Sequence, residues 1–255
     1  MKLASSPFGR FLALAFAFLF TVVAALPIDD ESSAPASQSL SRRNLPKVSE
    51  TNKKEINEYL RDATVHSKDF IPSDRWPTAV YDSFGTKPFS IGTPKVALTG
   101  CLAVVVVGPG GVWMGHMWEC PGFTKNPPEG WDKIHFQPEV IDFLKNGVAT
   151  VAEPEKEDTK PPKVPKLSDL KHELDHANVY FIGLSKGMNE NSYWYSGKMK
   201  KVQETIAALI PNPTFIHKFY PPGDGSVDVL FEYDGKSKKA RLMYTDHNVV
   251  FERNV

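Results

Sequence analysis

The chain has 255 residues, of which 41% are apolar and 24% charged, and its thirty basic and thirty acidic groups cancel. That composition excludes a disordered chain, a collagen-like chain and a multi-span membrane protein, and a net charge of zero supplies no electrostatic footprint for nucleic acid. Two cysteines are too few for a small disulfide scaffold.

Lys2 and Arg10 form a basic start, and Phe11 to Leu26 is a nearly unbroken apolar run of sixteen residues. A spanning helix needs roughly twenty. Small residues at Val23-Ala24-Ala25 mark a cleavage point, so residues 1–25 read as a secretory signal peptide. A polar tract follows and ends in Ser41-Arg42-Arg43. Its dibasic pair makes 26–43 an expected pro-peptide and 44–255 the expected mature chain, free of the membrane once the signal is cut. No Asn-x-Ser/Thr acceptor is usable, because Asn212-Pro213-Thr214 carries proline in the middle.

Residues 49–66 read as a surface helix, capped by Ser49 or Thr51, with Ile56, Tyr59, Leu60 and Ala63 on one face. Residues 67–95, interrupted by Pro72, Pro77, Pro88 and Pro94, read as irregular. Val96 to Val107, the turn Gly108-Pro109-Gly110-Gly111 and Val112 to Glu119 form a β-hairpin. Pro138 to Asn146 reads as a helix stopped by Gly147. Residues 152–166 alternate proline, acid and lysine and read as an exposed loop. Leu167 to His176 is a short helix candidate and Val179 to Leu184 a strand. Met199, Val202, Ile206 and Leu209 give an amphipathic helix stopped by Pro211. Strands are expected at Thr214–Tyr220, Ser226–Tyr233, Ala240–Thr245 and Val249–Glu252. The order lacks regular βαβ alternation, so the expected fold is α+β with a mixed or antiparallel sheet or sandwich core. Neither half, cut at the loop, has enough elements to close a core, so one domain is expected over 44–255.

The hairpin carries the chemistry. A turn centred on Pro109-Gly110 pairs Ala103 with His116 and Cys101 with Trp118. Side chains alternate along a strand, so Cys101, Ala103, His116 and Trp118 share one face, with His116 diagonal to Cys101. A thiol attacks as thiolate, and a nearby imidazole takes its proton. Gly100 leaves room for a substrate carbonyl, and the Cys101 N–H is an expected oxyanion donor. Thr99 offers a hydroxyl on the same face if the strand stays regular, and Trp118 is a candidate cleft wall. The bland alternative is a Cys101–Cys120 disulfide, which the same register permits and which would silence the nucleophile. His116 would then be a core histidine.

Leu98-Thr99-Gly100-Cys101, a run of valines and His116 resemble the Leu-Ser-Gly-Cys…His segment of the cytotoxic necrotizing factor catalytic domain. Related signatures occur in the chemotaxis deamidase CheD and the Burkholderia lethal factor. The resemblance spans residues 98–116, with Thr99 in place of the serine. Some members place a threonine six residues before the cysteine; here that residue is Lys95, and Thr93 is the nearest upstream hydroxyl outside the motif. The resemblance implies a sandwich-like α/β fold and deamidation of a glutamine on a protein substrate. It further implies Cys101 as nucleophile and His116 as base. No cofactor is called for.

His172-Glu173-Leu174-Asp175-His176 fits the zinc-protease pattern H-E-x-x-H. On a helix both histidines would face one side, with Glu173 as base and Glu190 or Glu204 as third ligand. Asp175 and Lys171 place charges in the segment, so a solvated face is the expected reading, without metal. The hairpin residues and the resemblance together point to a secreted cysteine hydrolase of the deamidase type, a candidate toxin or effector. A non-catalytic interaction protein and a zinc protease are the alternatives.

Overall fold

The computed structural model describes residues 45, 52–71, 76–93, 97–124, 126–149, 161–188, 190–223, 226–245 and 247–255, without the side chains of 247–253. The described residues belong to one compact unit, Leu40–Val255. The expected signal peptide, the pro-peptide before Leu45, Lys95 and residues 152–160 of the expected loop lie outside them.

Two five-stranded mixed sheets stack face to face. One has the order β1 (Lys68–Asp69), β3 (Phe89–Gly92), β8 (Val229–Asp234), β9 (Lys239–Tyr244), β10 (His247–Asn254). The other runs β2 (Thr78–Ser83), β5 (Gly111–Met117), β4 (Leu102–Val107), β6 (Asn178–Leu184), β7 (Thr214–Tyr220). Only β1–β3 and β6–β7 pair in parallel. Helix α1 (Lys53–Thr64) covers the outer face of the first sheet, setting Ile56 and Leu60 on Leu230 and Met243. Helices α3 (Asp142–Asn146) and α4 (Ser196–Leu209) lie on the second sheet's side away from the first, and the short α2 (Trp131–Ile134), with no buried residue, precedes them in the chain. The result is an α+β sandwich of four layers, as expected.

The hairpin strands explain the layering. β4 is buried on both faces, the environment its Leu-Ala-Val-Val-Val-Val run suits. Leu102, Val104 and Val106 face the helices with Trp113 and Met117. Ala103, Val105 and Val107 face the other sheet with Val112 and Met114. Each such fully buried aliphatic side chain contributes about 1.5–3 kcal/mol relative to exposure. On the outer face of the first sheet, Arg241 and Glu232 form a buried ion pair, and the Tyr59 hydroxyl of α1 donates to Glu232 at 2.6 Å. That network ties α1 to β8 and β9.

Several expectations need correction. The span 67–95 is not irregular: β2 and β3 lie within it, each beginning just after a proline, Pro77 and Pro88. The first helix is capped by Asn52, whose side chain accepts from the Glu55 N–H, and it starts at Lys53. Residues 137–141 form one π-helical turn ahead of α3, so 138–146 is not a single regular helix. Residues 161–166 are not simply exposed: Val164 packs on the helix-side core, and the Trp113 indole N–H donates to the Pro165 carbonyl at 2.9 Å. Leu167–Leu170 is a 3-10 turn followed by irregular turns, not an α-helix through His176.

Candidate functional site

The β4–β5 ladder sets the register of the site. Ala103 pairs with His116 and Leu102 with Met117, as the turn position predicts. Cys101 stands one residue before β4 rather than opening it, because Gly100 at φ +90° turns the chain there. That break removes Thr99 from the strand: Thr99 is exposed, and its carbonyl is a distant 4.0 Å acceptor for the Cys101 thiol. Cys101 and Trp118 both belong to the intersheet core, the face that Val112, Met114 and His116 share by alternation.

His116 is 1% exposed, and its Nδ1 has no hydrogen-bond partner. Its ring meets Trp118 edge to face at 4.6 Å, and the Trp118 indole N–H donates to the Trp76 carbonyl at 3.1 Å. Trp118 thus holds the imidazole from one side and is itself held by the chain entering β2. Burial lowers the His116 pKa to about 3, so the ring is neutral at physiological pH.

Cys101 is 4% exposed, and burial pushes its thiol above the ordinary cysteine value. Backbone hydrogen bonds from Glu119 and Thr99 act the other way, and the Glu119 carboxylate adds to the rise. No hydrogen bond joins Cys101 to His116. The resting pair is therefore a thiol and a neutral imidazole, not a thiolate–imidazolium pair. Both cysteines are free, Cys101 buried and Cys120 exposed, so the disulfide alternative is not formed.

Three further groups surround Cys101 that its local sequence does not announce. The Tyr220 hydroxyl, at the end of β7, donates to the Cys101 carbonyl at 2.5 Å. The Tyr195 hydroxyl, ahead of α4, reaches the Gly100 carbonyl at 3.5 Å. Burial raises both phenols, which keeps them protonated as donors. The third group is Glu119, whose carboxylate lies directly against Gly100, so that a Cβ there would strike it. Nothing in the local sequence marks the tyrosines, since they come from strands and turns about a hundred residues downstream. Glu119 carried one signal: a charge that ends an apolar strand two residues after Met117.

The H-E-x-x-H segment does not form the helix its chemistry needs. His176 has φ +54° and bonds Asp175 at 2.8 Å, while His172 is exposed. The Glu173 backbone instead serves the hairpin turn, accepting the Gly110 N–H at 2.9 Å. Among the described residues no three His, Cys, Asp or Glu side chains gather as metal ligands, and Glu190 and Glu204 pair locally with Lys186 and Lys200. The zinc-protease alternative is withdrawn on the geometry of that segment.

No protein-family model and no curated protein matches the chain. Among solved structures, it is similar to the C-terminal domain of CNFy from Yersinia pseudotuberculosis, with 13% identity and a TM-score of 0.32. The match covers 72% of this chain and spans 60% of that domain's length. At that level the fold assignment stands on the sheets and helices of this chain itself.

Proposed function

We propose that this chain is a secreted cysteine hydrolase that deamidates a glutamine side chain of a protein substrate, without a cofactor. The observation that carries the reading is the β4–β5 register. It pairs the buried His116, whose Nδ1 has no partner, with Ala103, two residues after the free Cys101 of the intersheet core, and this supports a base diagonal to the thiol.

In the proposed reaction His116 takes the thiol proton of Cys101, and Sγ bonds to the carboxamide carbon of glutamine. The Cys101 backbone N–H is the proposed donor to the oxyanion. The C–N bond breaks, and ammonia leaves with the proton held by His116. Water then adds to the thioester and gives a proton to the imidazole, which passes it to the departing sulfur. The C–S bond breaks, leaving glutamate and the thiol. Hydrolysis of a protein amide by a secreted enzyme fits a toxin or effector.

One observation favours a second reading, a non-catalytic interaction protein: Cys101 is only 4% exposed. Thiol reactivity separates the two. Cys101 and Cys120 lie on one tryptic peptide, so the measurement uses a Cys120→Ser background. General-base assistance is worth about 10²-fold or more. His116→Ala is accordingly expected to slow Cys101 alkylation by iodoacetamide by at least that order. A proteome incubated with the protein gains glutamate at a glutamine site, and the Cys101→Ser variant leaves that site unchanged. An alkylation rate indifferent to His116 overturns the hydrolase reading.

A further inference from the structure

Glu119 is an odd neighbour for a nucleophile. Its charge opposes formation of the Cys101 thiolate, and it also acts on the two phenols that hold the Gly100–Cys101 backbone. The carboxylate is half-buried against Gly100, and among the described residues it has neither an ion-pair partner nor a hydrogen-bond donor. A half-buried anion without a partner loses hydration and gains nothing in return. Placed beside a thiol that must ionise, it also hinders the first step. A local arrangement unfavourable on both counts marks a group kept for what binds there.

The neighbouring acceptors narrow what that is. The Cys101 carbonyl is taken by Tyr220 and the Gly100 carbonyl by Tyr195. Glu119 is left as the acceptor without a donor. A carboxamide brings two N–H donors on one nitrogen, and a carboxylate brings none. An ionised carboxylate accepts such donors strongly and repels a second carboxylate.

We infer that the Glu119 carboxylate is the specificity group of the site: it accepts the –NH2 of the substrate carboxamide at Cys101 and rejects the carboxylate that hydrolysis leaves. The inference rests on the hydrolase reading above and deepens it. The glutamine side chain is admitted by its nitrogen. The same contact turns repulsive once ammonia has gone and glutamate stands in its place. Sites built around an N–H donor discriminate strongly against an analogue that lacks it. The sulfur attack itself stays with Cys101 and His116.

Two reagents mimic the two states. Iodoacetamide carries the carboxamide, and iodoacetate carries the carboxylate. Each forms a bond from Cys101 Sγ to carbon as the C–I bond breaks and iodide leaves. Second-order rates with both are measured in the Cys120→Ser background at about pH 8, where carboxylates are ionised. The preference for iodoacetamide over iodoacetate is then compared with that of Glu119→Gln. A ratio is used because removing the charge also eases thiolate formation, which affects both reagents alike. The preference is expected to fall about tenfold in Glu119→Gln, the effect of one charge a few ångströms away at a dielectric between protein surface and water. In the protein with Glu119 intact, added salt is expected to erode the same preference, a measurement that needs no substitution at 119. If Cys101 reacts in a His116-dependent way but with unchanged preference in Glu119→Gln, the role of Glu119 is overturned and the hydrolase reading stands. If Cys101 reacts without regard to His116, or with neither reagent, the hydrolase reading falls and takes this inference with it.

Discussion

The two ends of the β4–β5 hairpin are built on different principles. At the turn, close backbone fit dominates, although one buried polar atom there, Glu173 Oε2, lacks a partner. The Gly108 N–H bonds the Gly111 carbonyl at 3.0 Å, the Gly110 N–H bonds the Glu173 carbonyl at 2.9 Å, and the Phe84 N–H bonds the Gly110 carbonyl at 2.9 Å. A Cβ on Gly108 would run into the backbone of Glu173 and Leu174, so the absence of a side chain is what lets the two segments touch. At the open end, polar groups sit in poor company: an imidazole nitrogen with no partner, a buried thiol and a half-buried carboxylate. Native cores rarely leave such atoms unpaired, and where they do the arrangement calls for an explanation. The turn end is held by close backbone contacts, whereas the open end gathers several such polar groups around the free Cys101.

The largest effect is expected at the turn. Gly108→Ala forces a methyl group against backbone atoms that cannot rotate away. The expected loss is about 3 kcal/mol of unfolding free energy, the upper part of the range for overpacking. Urea denaturation at constant slope measures it. Gly197→Ala in α4 is the matching control, since nothing lies within 4 Å of its added methyl. That change is expected to stabilise by about 0.5–1 kcal/mol through helix propensity. Equal effects at the two glycines would erase the distinction drawn for the turn.

The pH dependence of stability probes the open end. The His116 pKa is lowered to about 3 in the fold, against an ordinary value near 6.5. The unfolded chain therefore takes up the proton first as pH falls. The proton-linked loss of stability is therefore negligible well above about pH 6.5 and grows progressively down to about pH 3. Between pH 6.5 and 4.5 the protein is expected to lose about 2 kcal/mol more than His116→Leu does, from the linkage slope of one proton. Denaturation of the two proteins in parallel cancels the carboxylates that titrate in the same range. Parallel curves would mean that the imidazole is solvated and that the open end is not the dry site described.

The same contrast separates what was legible in the sequence from what was not. The Gly-Pro-Gly-Gly turn fixes the hairpin register through local chemistry, and from it follow the pairing of Ala103 with His116 and the shared face of Cys101 and Trp118. The strand Thr214–Tyr220 was readable to the residue for a similar reason, with apolar residues running on after Pro213. β2 and β3 were missed because prolines were taken as interruptions, whereas each stands just outside a short strand. The helix expected at 167–176 failed because that segment answers to the hairpin turn it supports rather than to its own periodicity. At the candidate site, Cys101 and His116 were legible together because one hairpin carries both. Tyr195 and Tyr220 were not, because sheet order alone brings them to Gly100 and Cys101.

A smaller effect, at His116 itself, is the most telling for the open end. His116→Leu replaces an imidazole by an apolar side chain of similar volume and removes the unpartnered Nδ1 from the core. Deleting a buried polar atom that makes no hydrogen bond removes its desolvation penalty, worth about 1–3 kcal/mol, while the edge contact with Trp118 is lost. The net expectation is a gain of about 1 kcal/mol at neutral pH, read as a higher urea midpoint. A core histidine retained for packing would give the opposite sign. A more stable protein whose Cys101 no longer shows base-assisted reactivity would mean that the imidazole is held at a cost to the fold. That is the relation between stability and chemistry expected of a working base and of no structural residue.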